Sequence, residues 1–154
     1  MMKASLITGI RSVEAREIED AQTQQPDEAL IRVAYVGICG TDLELYDGTS
    51  NYLRRGLTKY PHHYGHEWVG VIGTPPQTAH GTQLKPGAVV TGSSMIPCLT
   101  CDFCQRGRRN LCTSLREVGL YEHGGAAAQK LVMPAHVLTV IEDGSGAEPH
   151  PEYI

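Results

Sequence analysis

Short stretches of alternating apolar and polar residues run through most of the chain, and they predict strands rather than helices. The clearest stretch covers residues 29–36, where Ile31, Val33 and Tyr35 fall on one face. Shorter strands are predicted at residues 4–8, 11–18, 68–72, 88–91, 126–133 and 136–141. Many short strands separated by polar turns indicate a mainly β, barrel-like domain.

Helical signals are few. Thr41 and Asp42 are residue types that cap helices, and they predict a short helix that runs to about Tyr46. Gly48 follows as a natural end to that helix. Residues 49–65, rich in Tyr, His and Gly, are predicted to form a loop.

The length of 154 residues favours one domain, which we place at residues 1–141. Residues 142–154 are rich in Gly and Pro and are predicted to be a tail or linker. Gly144 and Gly146 do not open a dinucleotide-binding loop, because no third glycine follows in register and about ten residues cannot build a βαβ unit. We therefore expect no Rossmann domain in this chain.

Composition and charge exclude two classes of partner. The formal net charge is −4, which gives no general attraction to nucleic acid. No apolar run reaches the roughly 20 residues of a membrane span, and the N-terminus lacks the apolar segment of a signal peptide. We expect a cytoplasmic protein, in which clustered cysteines indicate a metal site more often than a disulfide.

Residues 97–113 carry four cysteines and no apolar periodicity, so this lobe needs something other than a core to hold it. The cysteines have the spacing C-x2-C-x2-C-x7-C and are Cys98, Cys101, Cys104 and Cys112. Four thiolates fill the tetrahedral positions of zinc, which predicts a closed, structural site. Two disulfides or a redox pair are the alternative interpretation.

A second metal site is suggested by the fifth cysteine, Cys39, together with His66. A catalytic zinc needs about three protein ligands and an open position, and these two residues are ligands of the right type. A carboxylate is a suitable third ligand. A single buried cysteine used only for packing is the alternative.

Several motifs, in order along the chain, give a family resemblance. They are Val36-Gly-Ile-Cys-Gly-Thr-Asp42, Tyr60-Pro61, Gly65-His-Glu-Trp-Val-Gly70, the turn at Pro86-Gly87, the four-cysteine lobe, and Gly124-Gly125-Ala126 before a strand that ends in Pro134. Together they resemble the GroES-like catalytic domain of zinc-dependent alcohol, polyol and threonine dehydrogenases in the medium-chain dehydrogenase/reductase superfamily. The resemblance implies a GroES-like β-barrel with short helices and two zinc ions per chain.

The resemblance also implies roles for individual residues. Cys39 and His66 correspond to catalytic zinc ligands, and Glu67 to a direct ligand or a close neighbour of one. Thr41 corresponds to the hydroxyl that hydrogen-bonds the substrate oxygen and starts a proton relay. Asp42 corresponds to an acid that orients the histidine ligand.

Two positions depart from the family pattern or lie at its edge. Glu44 stands where many members carry a histidine of the proton relay, which puts the proton's exit route in question. Glu148, which precedes Pro149, lies near the point along the chain where polyol-type members can carry a glutamate ligand. Glu148 is therefore a second candidate for the third zinc ligand, after Glu67.

Three functions are compatible with this resemblance. The first is the zinc-binding part of an alcohol- or polyol-type dehydrogenase, which uses NAD(P) only if a Rossmann domain, such as a partner chain, supplies it. The second is a free-standing zinc lyase, isomerase or hydrolase, and the third a non-catalytic zinc-binding interaction module. The expected substrate is a small alcohol, polyol or carbonyl compound. Family members usually associate, so a homo-oligomer is expected.

Overall fold

Antiparallel strands dominate the computed structural model, which describes residues 1–78, 84–144 and 148–153. Ten strands lie in these ranges: β1 Met2–Gly9, β2 Ser12–Ile18, β3 Glu28–Gly37, β4 Glu67–Thr74, β5 Val89–Gly92, β6 Met95–Ile96, β7 Arg116–Val118, β8 Glu122–His123, β9 Lys130–Pro134 and β10 Leu138–Glu142. The mainly β, barrel-like fold expected from the alternating pattern is confirmed.

The largest sheet has the order β10-β5-β4-β3-β9, and each neighbouring pair is antiparallel. Its inward side chains form the main core, in which Ile31, Trp68, Ile72, Val90 and Met133 are each 1% exposed or less. Their burial explains the period-two pattern of the sequence, since alternate residues of a strand face opposite sides of a sheet.

Strands β1 and β2 form a hairpin that closes against the rest of the domain. Isolated bridges join Ala4 to Ala128 and Ile7 to His62. Ile7 also belongs to a second, smaller core with Leu45, which is fully buried, and with tyrosines from the loop after the first helix. This small core connects the hairpin to the segment that carries Cys39.

The first helix, α1, spans Gly40–Asp47 and differs from the prediction at its start. Cys39, rather than Thr41, is the N-cap: its Sγ accepts the backbone N–H of Thr41 at 3.3 Å. The Asp42 carboxylate accepts the backbone N–H of Cys39 at 3.1 Å in return. Gly48 ends the helix in the left-handed conformation, with φ 77°, as predicted.

Two other segments differ from their predictions. The predicted loop at residues 49–65 contains one helical turn, α2, Asn51–Arg54, and a cis peptide bond between Tyr60 and Pro61. The strand predicted at residues 126–133 begins only at Lys130, because Ala126 and Ala127 bond to another loop.

The four-cysteine lobe contains a short helix, α3, Asp102–Gln105, and a 3-10 turn, Arg109–Leu111. Beside it lies the small sheet β6-β7-β8, which was not predicted because its strands have two or three residues. The predicted tail at residues 142–154 falls partly outside the described residues, and a 3-10 turn occupies Pro151–Tyr153. No helix in the described ranges is long and apolar enough to cross a membrane.

Candidate metal centres and active site

The four cysteines of the lobe converge on one point. Their Sγ atoms all lie within 4.8 Å of one another, and every cysteine of the chain is a free thiol. Helix α3 begins just after the second of the four, Cys101, and carries the third, Cys104. The 3-10 turn that follows then returns the chain so that Cys112 faces the other three.

Backbone amides and one hydroxyl point at these sulfur atoms. The N–H of Cys98 donates to Cys112 Sγ at 3.2 Å, and the N–H of Cys101 donates to Cys98 Sγ at 3.3 Å. The hydrogen bond from the Thr100 hydroxyl, helped by backbone N–H groups, lowers the pKa of the Cys98 thiol to about 6. Burial raises the pKa of the Cys104 thiol to about 12.

This donor set fits zinc. Four sulfur atoms leave no position open for water or substrate, and N–H···S bonds stabilise thiolates, the form that binds the metal. Burial raises the pKa of Cys104, and this thiol must lose its proton to bind zinc. Zinc loading of the lobe is therefore coupled to proton release.

Cys39 and His66 also meet, although 27 positions separate them in sequence. Cys39 Sγ lies 3.0 Å from His66 Nε2, and these two residues form a group with Asp42 whose ligand atoms lie within 4.8 Å of one another. Cys39 caps the start of α1, whereas His66 directly precedes strand β4. The site therefore lies between the start of α1 and the start of β4.

Asp42 faces the opposite edge of the same imidazole. Its Oδ1 lies 3.5 Å from His66 Nδ1, which is longer than an ordinary hydrogen bond, and within the described residues neither buried atom has a hydrogen-bond partner. Burial opposes ionisation of Asp42, but the nearby His66 imidazole and the hydrogen bond from the Cys39 backbone N–H outweigh it and lower the pKa of the carboxyl. The Asp42 carboxylate in turn raises the pKa of His66 to about 9.

The same charges that stabilise a proton on this imidazole favour a metal cation at Nε2. With Nδ1 directed to a carboxylate, Nε2 is the nitrogen left to face Cys39, as in the carboxylate–histidine–metal arrangement of many zinc sites. One thiol and one imidazole, the latter oriented by a buried carboxylate, thus fit an open zinc site with fewer than four protein ligands.

Close backbone contacts set the position of His66. The N–H groups of Ala126 and Ala127 donate to the carbonyls of Gly65 and Tyr64 at 2.8 and 3.1 Å. A Cβ on Gly119 would lie 2.5 Å from Gly65 O, and one on Gly125 would lie 1.9 Å from Tyr64 O. Only glycines allow these loop segments to approach, so Gly119 and the motif residue Gly125 act by positioning the segment that carries the histidine.

The remaining predicted site residues occupy different places. Thr41 lies in the first turn of α1, two residues after Cys39, and Glu44 lies on an exposed face of the same helix. Glu67 and Glu148 are both exposed. Neither belongs to the group that the structure forms around Cys39 and His66 in its described ranges, so the identity of the third protein ligand stays a prediction.

Two other histidines near the site, His62, which is buried, and His63, which is half-buried, carried no signal in the sequence. His62 is 5% exposed, and its ring bridges the Thr58 hydroxyl and the Gly119 carbonyl at 2.7 and 2.8 Å. For His63, burial lowers the pKa to about 4, helped by His62 and His123, and its Nε2 has no hydrogen-bond partner among the described residues. Three histidines within five positions give no spacing from which separate roles can be read.

His63 leads to a prediction about acid stability. Its folded-state pKa of about 4 lies below the usual value of 6.5, so between these pH values the unfolded chain binds a proton that the folded chain does not. Stability should therefore fall as the pH is lowered through this window, by up to about tenfold in the folding constant per pH unit. Denaturant unfolding of His63→Gln from pH 7 to 4 should give a shallower loss than wild type. His150→Gln, which replaces an exposed histidine, is the control, and an equal slope in His63→Gln would contradict this assignment.

Comparisons with known proteins support this architecture. Residues 25–143 match the alcohol dehydrogenase GroES-like domain. The chain is 36% identical over 124 residues to L-threonine 3-dehydrogenase of Xanthomonas euvesicatoria pv. vesicatoria, covering 79% of this chain and 34% of that protein. It is 33% identical over 113 residues to L-galactonate-5-dehydrogenase of Escherichia coli K12, covering 73% of this chain and 31% of that protein.

A solved structure gives the same result. A protein from Sinorhizobium meliloti 1021 assigned as a zinc-binding dehydrogenase, in complex with NADP, superposes with a TM-score of 0.73 and 32% identity over 92% of this chain and 38% of that one. The chain thus spans about a third of the length of the curated relatives it matches. The match over residues 25–143, together with these relatives, places the chain in the family of the alcohol dehydrogenase GroES-like domain, within the medium-chain dehydrogenase/reductase superfamily.

Proposed function

We propose that this chain is the zinc-binding catalytic part of an alcohol- or polyol-type dehydrogenase, and that a nucleotide-binding domain supplies NAD(P). The observation that carries the proposal is the approach of Cys39 Sγ to His66 Nε2, at 3.0 Å, with the Asp42 carboxylate on the other side of the imidazole. The four-cysteine lobe holds a second, structural zinc. The relatives named above support the reaction class.

The residues around this site then have separate roles in the reaction. A bound zinc supplies Lewis acidity at the oxygen of an alcohol or carbonyl substrate. Asp42 fixes the orientation of His66, and Thr41 hydrogen-bonds the substrate oxygen, accepting its proton while passing the proton of its own hydroxyl onward. Glu44 replaces histidine as the next proton carrier, with an exposed carboxylate that can pass the proton to solvent.

An exposed apolar patch beside the site favours a missing neighbour over a free-standing enzyme. Ile38 and Leu43 are 59% and 57% exposed, although they directly flank Cys39 and Asp42, and Ile10 and Val13 of the first hairpin are 66% and 47% exposed. A shallow cavity of about 230 Å³ opens between these elements. Large exposed apolar groups around a polar site are typical of a surface that another domain covers.

The proposal is tested first by counting metal. We expect two zinc ions per chain for the wild type and one for Cys39→Ser, because only the lobe keeps its full ligand set. Elemental analysis of purified, zinc-dialysed protein gives the count, and Cys104→Ser, which removes a lobe ligand, is the matched variant. One zinc in the wild type, with Cys39 fully reactive toward an alkylating reagent, would rule out the second site. The same measurement on Glu67→Gln and Glu148→Gln identifies the carboxylate ligand.

A second test addresses the coenzyme. The described residues contain no βαβ unit, and their one parallel strand pair, β7 and β8, has no helical crossover. We therefore expect no saturable heat on titrating NADH or NADPH into the chain, and no oxidation of alcohols with NAD(P). Stoichiometric coenzyme binding, measured by calorimetry, would contradict the proposal that a separate nucleotide-binding domain supplies NAD(P).

A further inference from the structure

A polar cavity of about 450 Å³ lies between α2 and β7, and none of the functions proposed above uses it. Its lining combines both signs of charge with phenol and amide groups, from Asn51, Tyr52, Arg55, Leu57, Glu117 and Tyr121. Such a lining suits a small, highly polar molecule better than an apolar alcohol.

The Glu117 carboxylate is held in place by the aromatic wall of the cavity. The Tyr52 hydroxyl donates to Glu117 Oε2 at 2.7 Å, and the Tyr52 and Tyr121 rings lie 5.8 Å apart. The backbone N–H of Glu117 donates to the Tyr121 carbonyl at 3.0 Å. Oε2 is thus engaged, while Oε1 has no hydrogen bond within the described ranges and can accept one from a ligand hydroxyl.

Arg55 lines the same cavity without pairing with Glu117. The guanidinium of the preceding residue, Arg54, bonds to Asn51 Oδ1 at 2.6 Å, whereas that of Arg55 makes no ion pair or hydrogen bond within the part of the chain that the structure describes. An arginine that is left unpaired in a polar cavity can bind a carboxylate with two parallel hydrogen bonds.

A backbone contact links one wall of the cavity to the segment that carries His66. Glu117 lies two residues before Gly119, and Gly119 packs directly on Gly65, which precedes His66. The segment that contributes Glu117 to the cavity therefore also supports the residue before the histidine.

We propose that this cavity binds the carboxylate and hydroxyl groups of a polyhydroxy acid whose reacting alcohol lies at Cys39 and His66. The proposal rests on the dehydrogenase function above and narrows its substrate to sugar acids. Arg55 binds the carboxylate, and Glu117 accepts hydrogen bonds from hydroxyls of the chain. An amino acid is the less suitable ligand, because the phenol and amide groups of the lining match several hydroxyls better than one ammonium group.

The test compares acids with the alcohols of the same carbon skeleton. D-gluconate and D-glucitol form one pair, and L-galactonate and galactitol the other, each titrated calorimetrically into the zinc-loaded chain. We expect at least one acid to bind about tenfold more tightly than its alcohol, since a bidentate arginine–carboxylate contact is among the stronger polar contacts. Arg55→Gln should abolish this difference, and Arg54→Gln, the matched loss of charge at the preceding position, should keep it.

Glu117→Gln supplies an independent measurement. It keeps the shape of the side chain and should weaken the acid and its alcohol alike, because both present hydroxyls to it. Equal affinity for acid and alcohol in the wild type, equal effects of Arg55→Gln and Arg54→Gln, or tighter binding of L-threonine than of either acid would overturn the proposal. A different outcome is a chain that holds only the lobe zinc and still binds an acid through Arg55. This result would contradict the catalytic zinc site but not the assignment of the cavity.

Discussion

Cys104→Ser should lower the thermal midpoint of the protein by roughly 10 °C. The lobe at residues 97–113 has little apolar core, so the zinc that its four thiolates hold supplies most of its folding free energy. At a zinc concentration about 1,000 times the dissociation constant, losing that binding removes about 4 kcal/mol. For a domain of this size the corresponding shift is a few degrees per kcal/mol.

Calorimetric melting with and without a chelator checks this expectation. Wild type with chelator should melt near Cys104→Ser, and the variant itself should respond little to the chelator. Cys39→Ser, which leaves the lobe intact, should melt much closer to wild type. A Cys104→Ser variant that melts like wild type would mean that the lobe does not depend on metal.

Gly125→Ala should destabilise the fold and disturb the second metal site together. The added Cβ would lie 1.9 Å from the Tyr64 carbonyl oxygen and 2.6 Å from that of His63, and both are backbone atoms that cannot rotate away. The segment must move, and it carries the carbonyls of Tyr64 and Gly65 that anchor His66. We expect a loss of about 3 kcal/mol in unfolding free energy, at the upper end for overpacking.

Urea unfolding and zinc analysis measure the two effects separately. Gly9→Ala is the control, because a Cβ there meets nothing within 4 Å. The Gly125→Ala protein should retain the lobe zinc and lose the zinc bound by Cys39 and His66. If it unfolds like Gly9→Ala and keeps two zinc ions, the close contact does not position the histidine.

The fold was predictable from sequence wherever residues alternate over a long enough stretch. Residues 29–36 gave β3 within one residue at each end, because burial of one face imposes a period of two. Strands of two or three residues, such as Met95–Ile96, carry too few positions for any period. The helical turn at Asn51–Arg54 was missed because its polar and aromatic residues have no apolar stripe.

The candidate sites depended on different kinds of information. The lobe could be read directly, since its four ligands are close in sequence and their spacing has a chemical meaning. The pairing of Cys39 with His66 came from the family resemblance, because no local rule joins residues 27 positions apart. The contact of Gly119 with Gly65, and the cavity that holds Arg55 and Glu117, arise from packing between distant segments.

The sulfur atom of Cys39 makes two contacts, and together they affect how such a domain can change in evolution. It caps helix α1 by accepting the Thr41 N–H, and it also faces His66. Serine and asparagine are stronger helix caps than most residues, and neither supplies a thiolate. A single substitution at this position can therefore abolish metal chemistry while the helix keeps its start. Descendants that have given up catalysis should remain well folded, and an intact fold is no guarantee that a member of this family is still an enzyme.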